Sequence, residues 1–434
     1  MSDYMFMLEN HLSTDQNRVI AEVQAAAAVA NFSLFLAGGA MRDMLGGFQI
    51  RDLDFVVEGN APKLAKTLTA QAGARVVSVD ERRHTMELLF PGGVTAEIGM
   101  CRRERYARTG GEPQVTPATI QEDLQRRDFT VNAIALSLNR ASRGLLLDPA
   151  NGQADLGRKE LRTLYPTAFY DDPARLLRLV RLRLRLGYAV EERTQAQYEN
   201  ARAAKVQAHI SRRVLGDDLK HIAAEPNPSE VVRALEQDGL LALISPALTG
   251  AKLNLPGLVK LEKARRLLPP EVGAVGWGPF LYVLTENLSA KDKLALIKQT
   301  DMRKSDVDAW QKLPARAKKL EAALKSVRLK KPSQIYEVLS KTPADEILFL
   351  LYHSGVRLIQ DRIRNYLQKY IPLSQEITDA EVEAKGVIPG TPKFQKLKAE
   401  MVDARLDGRT KKPPPPPVEP IPVLTAMQRG RSAR

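Results

Sequence analysis

The stretch from Phe35 to Gly59, FLAGGAMRDMLGGFQIRDLDFVVEG, limits the possible folds of this chain more than any other segment. A short apolar run ends in Gly38 and Gly39, and the next apolar run carries Asp52 and Asp54 two positions apart. Glycines between a strand and a helix leave backbone N–H groups free to face an anion. Carboxylates at alternate positions of a strand share one face of a sheet. The stretch therefore predicts a site for a nucleoside triphosphate and a metal ion.

The two aspartates are the candidate metal ligands. In an extended strand their Cα atoms would lie roughly 6.6 Å apart, close enough for the side chains to converge on one ion or bridge two. Oxygen ligands without a neighbouring His or Cys favour Mg²⁺. Leu53 and Phe55, on the opposite face, would point into the core. A solvated strand end gives the same letters, so D-x-D alone leaves both interpretations open.

The segment after the glycine pair is the candidate phosphate site. Arg42 would lie in the first turn of a helix that starts near Met41, where its guanidinium would contact phosphate. The chain contains neither the Walker sequence G-x-x-x-x-G-K-[ST] nor a dinucleotide fingerprint. The two common classes of phosphate-binding motif therefore lack support.

The charge of the chain favours a polyanionic partner. Its 434 residues include 65 Lys and Arg against 51 Asp and Glu, a formal net charge of +14.

The single cysteine, Cys101, excludes an internal disulfide framework, and we expect it to be a half-buried hydrophobic residue. The N-terminal residues do not read as a signal peptide, and the apolar stretch from Ala25 to Met41 suits a helix followed by a strand better than a membrane span. We therefore expect a cytoplasmic protein that does not engage a membrane.

Two halves of the chain differ in pattern. From Leu34 to Pro149, apolar runs alternate with helical stretches such as Ala61 to Ala72 and Thr119 to Gln125. The predicted strands are SLFLA, LDFVV, ARVVSV, TMELLF, VTAEIGM and GLLLD. From Asp172 to about Tyr370, leucines and alanines recur at helical spacing, so this half is predicted to be mostly helical. Its first helix, Asp172 to Leu186, carries arginines on one side and leucines on two others, which predicts packing on two sides.

Four motifs occur in a fixed order along the first half. The first is G-G-x-x-R-D-x-L-G followed by D-x-D, within the stretch from Phe35 to Gly59. The others are CRRERY, with Arg102, Glu104 and Tyr106; EDLQRRDFTVNAIAL from Glu122 to Leu136; and LLDPANGQADLGRKELRTLYP running into FYDDPARLLRLVRLRLRLGY, from Leu146 to Tyr188. Together they resemble the class II nucleotidyltransferases of the polymerase β-like superfamily, which include tRNA CCA-adding enzymes and bacterial poly(A) polymerases. The resemblance is strong over residues 30–220 and weaker over 376–408.

The resemblance implies a fold and a division into domains. We expect an α+β catalytic domain with a mixed β-sheet, followed by an all-α C-terminal half. The expected divisions are a catalytic head at residues 1–150, a nucleotide-selecting helical neck at 151–220, an RNA-binding helical body at 221–375, a helical tail at 376–408 and a proline-rich, basic, disordered terminus at 409–434. Basic residues from Lys298 to Lys331 favour RNA contact in the helical half.

The resemblance also assigns roles to residues of the motifs. Asp52 and Asp54 would hold Mg²⁺ and act in catalysis. The residues implied to hold the sugar and triphosphate are Gly38, Gly39, Arg42, Arg127, Asp128 and Asn132. Asp172 and Arg175 would pair with the edge of cytosine or adenine, and Arg178 is assigned to the same nucleotide site. Protein side chains would then select the base without a nucleic-acid template.

Three positions need separate treatment. Asp171 stands where the family has a glutamate, one methylene longer, so base selectivity would differ here if this acid orients Arg175. Glu97 occupies the strand position of a third family acid, usually Asp; it would ligate metal or help deprotonate the RNA hydroxyl, or it is a surface glutamate. His84 lies in the segment between two predicted strands, and we interpret it as incidental.

The function implied by the resemblance is template-independent addition of C and A, from CTP and ATP, to the 3′ end of tRNA. Narrower alternatives are an enzyme that adds only A, and a poly(A) polymerase, although the G-R-R-F-like stretch of that branch is replaced here by Glu81-Arg82-Arg83-His84. A CC-only enzyme is less favoured because the segment between Ala74 and Phe90 does not look deleted. A remote alternative is an RNA-binding homologue without catalysis. The sequence leaves monomer and dimer undecided.

Overall fold

The computed structural model describes residues 3–269, 272–273 and 276–408. These residues form two compact units. The first contains residues 3–266 and 276–314, and the second contains 267–269, 272–273 and 315–408. The proline-rich terminus predicted at 409–434 lies outside the described residues.

A mixed β-sheet forms the centre of the first unit. The strands are β1 (Ser33–Ala37), β2 (Leu53–Glu58), β3 (Arg75–Asp80), β4 (Thr85–Leu89), β5 (Thr95–Met100), β6 (Arg102–Arg105), β7 (Gln114–Pro117), β8 (Ala135–Ser137), β9 (Leu146–Leu147), β10 (Glu160–Leu161) and β11 (Ala189–Val190). Seven of them form one sheet in the order β3-β4-β5-β2-β1-β8-β9. In this sheet β2 and β5 run parallel, whereas the other neighbouring strands pair antiparallel. The predicted α+β domain with a mixed sheet is confirmed.

Strand β2 lies between β5 and β1 in the middle of the sheet, and one of its faces is fully buried. Leu53, Phe55 and Val57 are each at most 1% exposed, and the prediction that Leu53 and Phe55 point into the core is confirmed. The strand begins at Leu53, where its ladder with β5 starts opposite Ala96. Asp52 therefore lies in the loop just before the strand, and its predicted place within the strand was wrong by one residue.

Three strands of the head were missed by the sequence pattern. Strands β6 and β7 pair with each other and consist mainly of charged and polar residues, and β8 is only three residues long. None of them shows the alternation of apolar and polar residues on which a strand prediction depends.

Helices flank the sheet. The first six along the chain are α1 (Asp3–His11), α2 (Thr14–Val29), α3 (Gly39–Leu45), α4 (Ala61–Gln71), α5 (Ile120–Gln125) and α6 (Gly152–Arg158). Helix α2 starts after Ser13 because Ser13 and Gln16 exchange side-chain and backbone hydrogen bonds in a capping box. Helix α3 starts at Gly39, two residues before the predicted Met41, since the backbone turns at Gly38 and is helical directly afterwards.

The remainder of the first unit is mainly helical, as predicted. Its helices are α7 (Ala168–Asp171), α8 (Arg175–Leu186), α9 (Glu192–Ala203), α10 (Arg212–Ala224), α11 (Pro228–Gln237), α12 (Leu255–Arg265), α13 (Trp277–Leu284), α14 (Ala290–Gln299) and α15 (Lys304–Gln311). Helix α8 packs on α11 and α10 through leucines such as Leu176 and Leu177, while Arg178 and Arg185 reach acids of the head. Its predicted packing on two sides is confirmed.

The second unit is also helical. Its helices are α16 (Leu313–Lys325), α17 (Pro332–Ser340), α18 (Ala344–His353), α19 (Arg357–Asn365), α20 (Ile371–Gln375), α21 (Asp379–Glu383) and α22 (Pro392–Leu406). Apolar residues of α21 and α22 form a small core with Ile377, and Tyr336 of α17 packs against it. Asp407 accepts hydrogen bonds from the backbone N–H and the hydroxyl of Ser333 at 3.1 and 3.0 Å, which fastens the end of α22 to the start of α17.

Candidate active site

The glycine pair brings backbone against two charged side chains. Gly38 has φ +71°, and a Cβ on it would lie 2.8 Å from Arg127 Nη1 and 3.4 Å from Asp54 Oδ2. A Cβ on Gly39 would lie 3.5 Å from the same Asp54 oxygen, and the Gly39 backbone acts to lower the pKa of Asp54. Glycine is required at position 38 because other residues rarely adopt this backbone conformation and the guanidinium leaves no space for a side chain.

Asp54 and Glu97 lie opposite each other on the parallel strands β2 and β5. Paired residues on strands about 4.8 Å apart point to the same face, so the two carboxylates share one face of the sheet. Burial and then the charge of Asp52 raise the pKa of Asp54 to about 6. Glu97 is accessible to solvent, yet the surrounding protein and then Asp54 raise its pKa to about 7. Like-charged carboxylates whose pKa values rise together favour a cation beside them.

Asp54 and Glu97, with Asp52 nearby, are the carboxylates on this side of the sheet. Within the part of the chain that the structure describes, no group of three or more His, Cys, Asp or Glu side chains is arranged so that it could hold a metal ion by itself. Mg²⁺ in nucleotide sites usually takes one or two protein carboxylates and completes its shell with water and substrate phosphates. The oxygen donors present at this position therefore fit Mg²⁺.

Asp123 fixes the predicted Arg127 and its neighbour Arg126. Its side chain is fully buried and accepts hydrogen bonds from Arg126 Nη2 at 2.6 Å and Arg127 Nη2 at 2.9 Å. Burial alone would raise the pKa of Asp123, but Arg127 and Arg126 outweigh burial and lower it. Glu104 behaves in the same way: burial acts to raise its pKa, and Arg126 and Arg102 lower it to about 2. Paired carboxylates therefore hold these guanidiniums in place.

Four predicted nucleotide-binding residues form one hydrogen-bonded chain. Arg42 Nη1 donates to Asn132 Oδ1 at 2.7 Å, and Asn132 Nδ2 donates to Asp128 Oδ1 at 2.9 Å. Arg178 Nη1 donates to the other oxygen of Asp128 at 2.7 Å. Burial acts to raise the pKa of Asp128, but Arg178 and then Arg175 lower it well below its ordinary value. This series of hydrogen bonds joins α3 to α8.

A second connection between α3 and α8 runs through Asp43. Arg42 Nε donates to Asp43 Oδ1 at 2.9 Å, and Arg185 Nη2 donates to Asp43 Oδ2 at 2.6 Å. Asp43 is 2% exposed and Arg42 is 5% exposed. Arg42 is thus held on two sides, by Asn132 and by Asp43, before any ligand binds.

Arg175 is buried and largely anchored. Its Nη1 donates to the Tyr165 hydroxyl at 2.7 Å and to the Ala168 carbonyl at 3.4 Å, and its Nη2 donates to the Arg126 carbonyl at 2.9 Å. Its Nε is buried, has no hydrogen-bond partner among the described residues and lies 3.8 Å from Asp172 Oδ2. The predicted base-reading pair therefore consists of an unused N–H donor beside a half-buried carboxylate.

Comparison with known proteins places this geometry in a family. A family model described as the poly A polymerase head domain matches residues 34–162. An A-adding tRNA nucleotidyltransferase of Aquifex aeolicus is 31% identical over 344 residues, which is 77% of this chain and 40% of the relative. A CC-adding tRNA nucleotidyltransferase of Deinococcus radiodurans is 37% identical over 229 residues, covering 53% of this chain and 57% of the relative. The chain therefore contains a poly A polymerase head domain, and its relatives are named as tRNA nucleotidyltransferases.

Further comparisons extend the similarity. A multifunctional CCA protein of Nitrosococcus oceani is 36% identical over 217 residues, covering 49% of this chain and 50% of the relative. A solved structure of a tRNA-processing enzyme with CTP has a TM-score of 0.52 at 25% sequence identity and covers 89% of this chain and 100% of the other. The chain spans about half the length of the curated relatives it matches.

The structure brings together most of the residues that the family resemblance assigned to the site. A continuous set of contacts links Gly38, Gly39, Arg42, Asp54, Arg127, Asp128, Asn132, Arg175 and Arg178. Glu97 and Asp172 adjoin this set through Asp54 and Arg175. Asp171 does not contact Arg175 directly; it accepts a hydrogen bond from Thr167 Oγ1 at 3.4 Å.

The sequence analysis missed four residues that contact the predicted site residues. Asp43, Asp123, Tyr165 and Arg185 hold predicted site residues in place. Asp43 could have been found because it follows Arg42 within the first motif, and Arg185 because it shares one side of its helix with Arg178. Asp123 and Tyr165 carry no comparable pattern.

Two further predictions concern residues outside the carboxylate site. Cys101 is 1% exposed, so the expectation of a half-buried residue was wrong; it follows the central strand β5 into the core, and burial raises the pKa of its thiol. His84 has φ +50° in the turn between β3 and β4, where its carbonyl accepts from the Met100 N–H at 3.2 Å.

Among the described residues, no helix combines the length and the apolar character needed to cross a membrane.

Proposed function

We propose that this chain is a template-independent tRNA nucleotidyltransferase that adds C and A, from CTP and ATP, to the 3′ end of tRNA. The observation that carries the proposal is the pairing of Asp54 with Glu97 beside the glycine turn, in one network with Asp172 and Arg175. The names of the relatives, which are A-adding, CC-adding and multifunctional CCA proteins, support the same substrate class.

The reaction is nucleotidyl transfer. The 3′-hydroxyl oxygen of the RNA attacks the α-phosphorus, a new O–P bond forms, and the bond from the α-phosphorus to the bridging oxygen breaks to release pyrophosphate. Glu97, accessible beside Asp54, accepts the hydroxyl proton. Asp52 and Asp54 would hold Mg²⁺, which when bound stabilises negative charge on the phosphates and lowers the pKa of the attacking hydroxyl.

The triphosphate lies along the glycine turn. Arg127 Nη1 is 2.8 Å from the position of a Cβ on Gly38, so its guanidinium borders the space where backbone N–H groups face the ligand. Arg42 approaches the same turn, with Nη2 3.5 Å from the position of a Cβ on Gly39. Two guanidiniums in fixed positions bind phosphate oxygens in a forked geometry.

Base selection falls to Asp172 and Arg175. Cytosine presents an amino donor next to a ring-nitrogen acceptor on its Watson–Crick edge, and adenine presents the same pattern. The Asp172 carboxylate accepts from the amino group, and an N–H of Arg175 donates to the ring nitrogen. Uracil and guanine present the reverse order of donor and acceptor, which would leave the buried N–H and the carboxylate unsatisfied.

A second candidate is addition of A alone. It is favoured by the A-adding relative from Aquifex aeolicus, which aligns over 77% of this chain. The base-reading pair accepts both C and A, so it does not separate the two activities. A third candidate function, which uses the same reaction, is poly(A) synthesis. A fourth, without any reaction, is RNA binding alone.

The test uses three tRNA transcripts, ending before the first C, after C and after CC, each incubated with one labelled nucleotide and Mg²⁺. We expect CTP to extend the first two transcripts to CC and ATP to extend only the third, whose sequenced product should end in CCA. Extension of the third transcript alone by one A indicates the A-adding activity, and a long A tract indicates poly(A) synthesis. No incorporation with any transcript contradicts an enzymatic function.

A further inference from the structure

The anchoring of Arg175 is uneven, because one of its fixed acceptors is a side chain. A guanidinium has five N–H donors and no acceptor. The acceptors of Nη1 and Nη2 are the backbone carbonyls of Ala168 and Arg126 and the hydroxyl of Tyr165. The Tyr165 contact, at 2.7 Å, is the shortest of the three. The direction of the free Nε–H toward Asp172 therefore depends on the tyrosine hydroxyl.

The direction of the hydroxyl proton follows from the same contact. Because arginine can only donate, the Tyr165 oxygen accepts from Nη1, and its own proton must point to another acceptor. Burial raises the pKa of Tyr165 and the negative charge of Asp171 adds to this rise, whereas Arg175 opposes it. The hydroxyl therefore stays protonated and keeps its lone pairs directed at Arg175 Nη1.

We infer that Tyr165 is a positioning residue for base selection: its hydroxyl fixes the direction in which Arg175 presents its free Nε–H toward Asp172. The inference rests on the proposed function and deepens it, since it names what holds the base-reading arginine.

The Tyr165 ring has a separate, apolar role that the test must exclude. The Arg175 Cζ lies 5.4 Å from the ring centroid, so the ring also supports the guanidinium by a cation–π contact. Tyr165→Phe keeps the ring and removes only the hydroxyl, which isolates the hydrogen bond. Tyr170→Phe is the matched control, because Tyr170 is a half-buried tyrosine five positions along the same segment.

The experiment measures equilibrium binding of CTP, UTP, ATP and GTP to the full chain, without RNA or turnover. We expect wild type to prefer CTP over UTP and ATP over GTP, and Tyr165→Phe to reduce both ratios about tenfold, the usual effect of losing one hydrogen bond to a charged group. The midpoint of thermal unfolding should stay near that of wild type, and Tyr170→Phe should keep both ratios unchanged.

A double-variant cycle tests whether Tyr165 acts through Arg175. In an Arg175→Lys background the compact ammonium cannot use the same fork, so adding Tyr165→Phe should change the ratios no further. An equal reduction in both backgrounds overturns the inference, as does an unchanged ratio in Tyr165→Phe.

The outcomes separate the inference from the proposed function. Wild-type discrimination that survives in Tyr165→Phe overturns the inference and leaves nucleotidyl transfer standing. Reduced discrimination in the variant of a protein that transfers no nucleotide supports the inference and overturns the enzymatic function. Equal binding of all four nucleotides by wild type overturns the inference and the proposed base reading together.

Discussion

Two sets of carboxylates in the same site differ in how the protein surrounds them. The sheet carboxylates, Asp54 and Glu97, face each other on β2 and β5, and their pKa values are raised to about 6 and about 7. The paired carboxylates, Asp123, Asp128 and Glu104, each bind arginines, and their pKa values are lowered. In both sets the surrounding protein acts to raise the carboxyl pKa. The arginines reverse the shift in one set only.

The difference separates chemistry from scaffold. The sheet carboxylates repel one another, which costs stability, and this arrangement is suited to hold a cation. The paired carboxylates hold Arg126, Arg127 and Arg178 in fixed positions, so they provide stability and no free charge. Substitutions that remove one carboxylate from each set should therefore have opposite consequences.

The largest expected effect is on activity, from the sheet carboxylates. Asp54→Asn should reduce nucleotide incorporation on the order of a thousandfold, because a ligand for the cation that stabilises the reacting phosphates is lost. The free energy of unfolding should stay the same or rise, since a buried carboxylate repelled by Asp52 becomes neutral. Incorporation of labelled nucleotide, tRNA binding and denaturant unfolding provide the three measurements. Near-normal turnover would remove Asp54 from the mechanism.

The matched substitution in the paired set is Asp123→Asn. It leaves Arg126 and Arg127 side by side without the carboxylate that both contact, and we expect a loss of about 3 to 5 kcal/mol in the free energy of unfolding. Denaturant titration of this variant and of Asp54→Asn under identical conditions gives the comparison directly. If Asp123→Asn is as stable as wild type, the distinction between the two sets is wrong.

The paired carboxylates also predict how the free energy of unfolding changes at acid pH. Glu104 has a pKa of about 2 in the folded protein against an ordinary value of 4.5. Its stabilising contribution is therefore complete above pH 4.5 and is lost as the pH falls toward 2. The shift corresponds to on the order of 3 kcal/mol. Unfolding free energies measured from pH 7 to pH 3 should decline less steeply for Glu104→Gln than for wild type, and identical slopes would contradict the assignment.

The sheet carboxylates predict the opposite change of stability with pH. The pKa of Asp54 is about 6 in the folded protein against an ordinary value of 3.8. The folded state therefore takes up this proton first, and the destabilising contribution of Asp54 disappears as the pH falls from 6 to 3.8. Without divalent cations, the difference in stability between Asp54→Asn and wild type should shrink over this interval. A difference that is constant with pH would exclude the raised pKa.

The smallest expected effect concerns the backbone beside the sheet set. Gly38→Ala should cost about 1 to 2 kcal/mol of stability, because alanine is strained in this backbone conformation. It should also reduce activity. The new Cβ would lie only 2.8 Å from Arg127 Nη1, so this guanidinium would have to move. Gly47→Ala is the control: Gly47 also has positive φ, at +73°, but a Cβ there meets nothing within 4 Å. An equal loss of activity in both variants would show that strain, and not the displaced arginine, is responsible.

The sequence predicted the parts of this arrangement that depend on local pattern. Alternating apolar residues identified β2 and its neighbours, and the glycine pair, the aspartates and the DDPAR segment could be assigned from ordered motifs. The partners of these residues could not, because Asp123 and Tyr165 owe their roles to tertiary contacts and not to spacing. Glu97 is an intermediate case: its strand was predicted, but only the parallel register with β2 brings it opposite Asp54.

The parallel pairing of β2 with β5 also sets the order in which the site can be assembled during synthesis. Parallel neighbours need a crossover connection, here through α4, β3 and β4, and contacts between segments far apart in sequence form late. A nascent chain that has emerged as far as β2 carries Asp52 and Asp54 but lacks Glu97, Arg127 and Arg175. Glu97 is in turn synthesised before Arg127 and Arg175, so both sheet carboxylates are present before the arginines that surround them in the folded site.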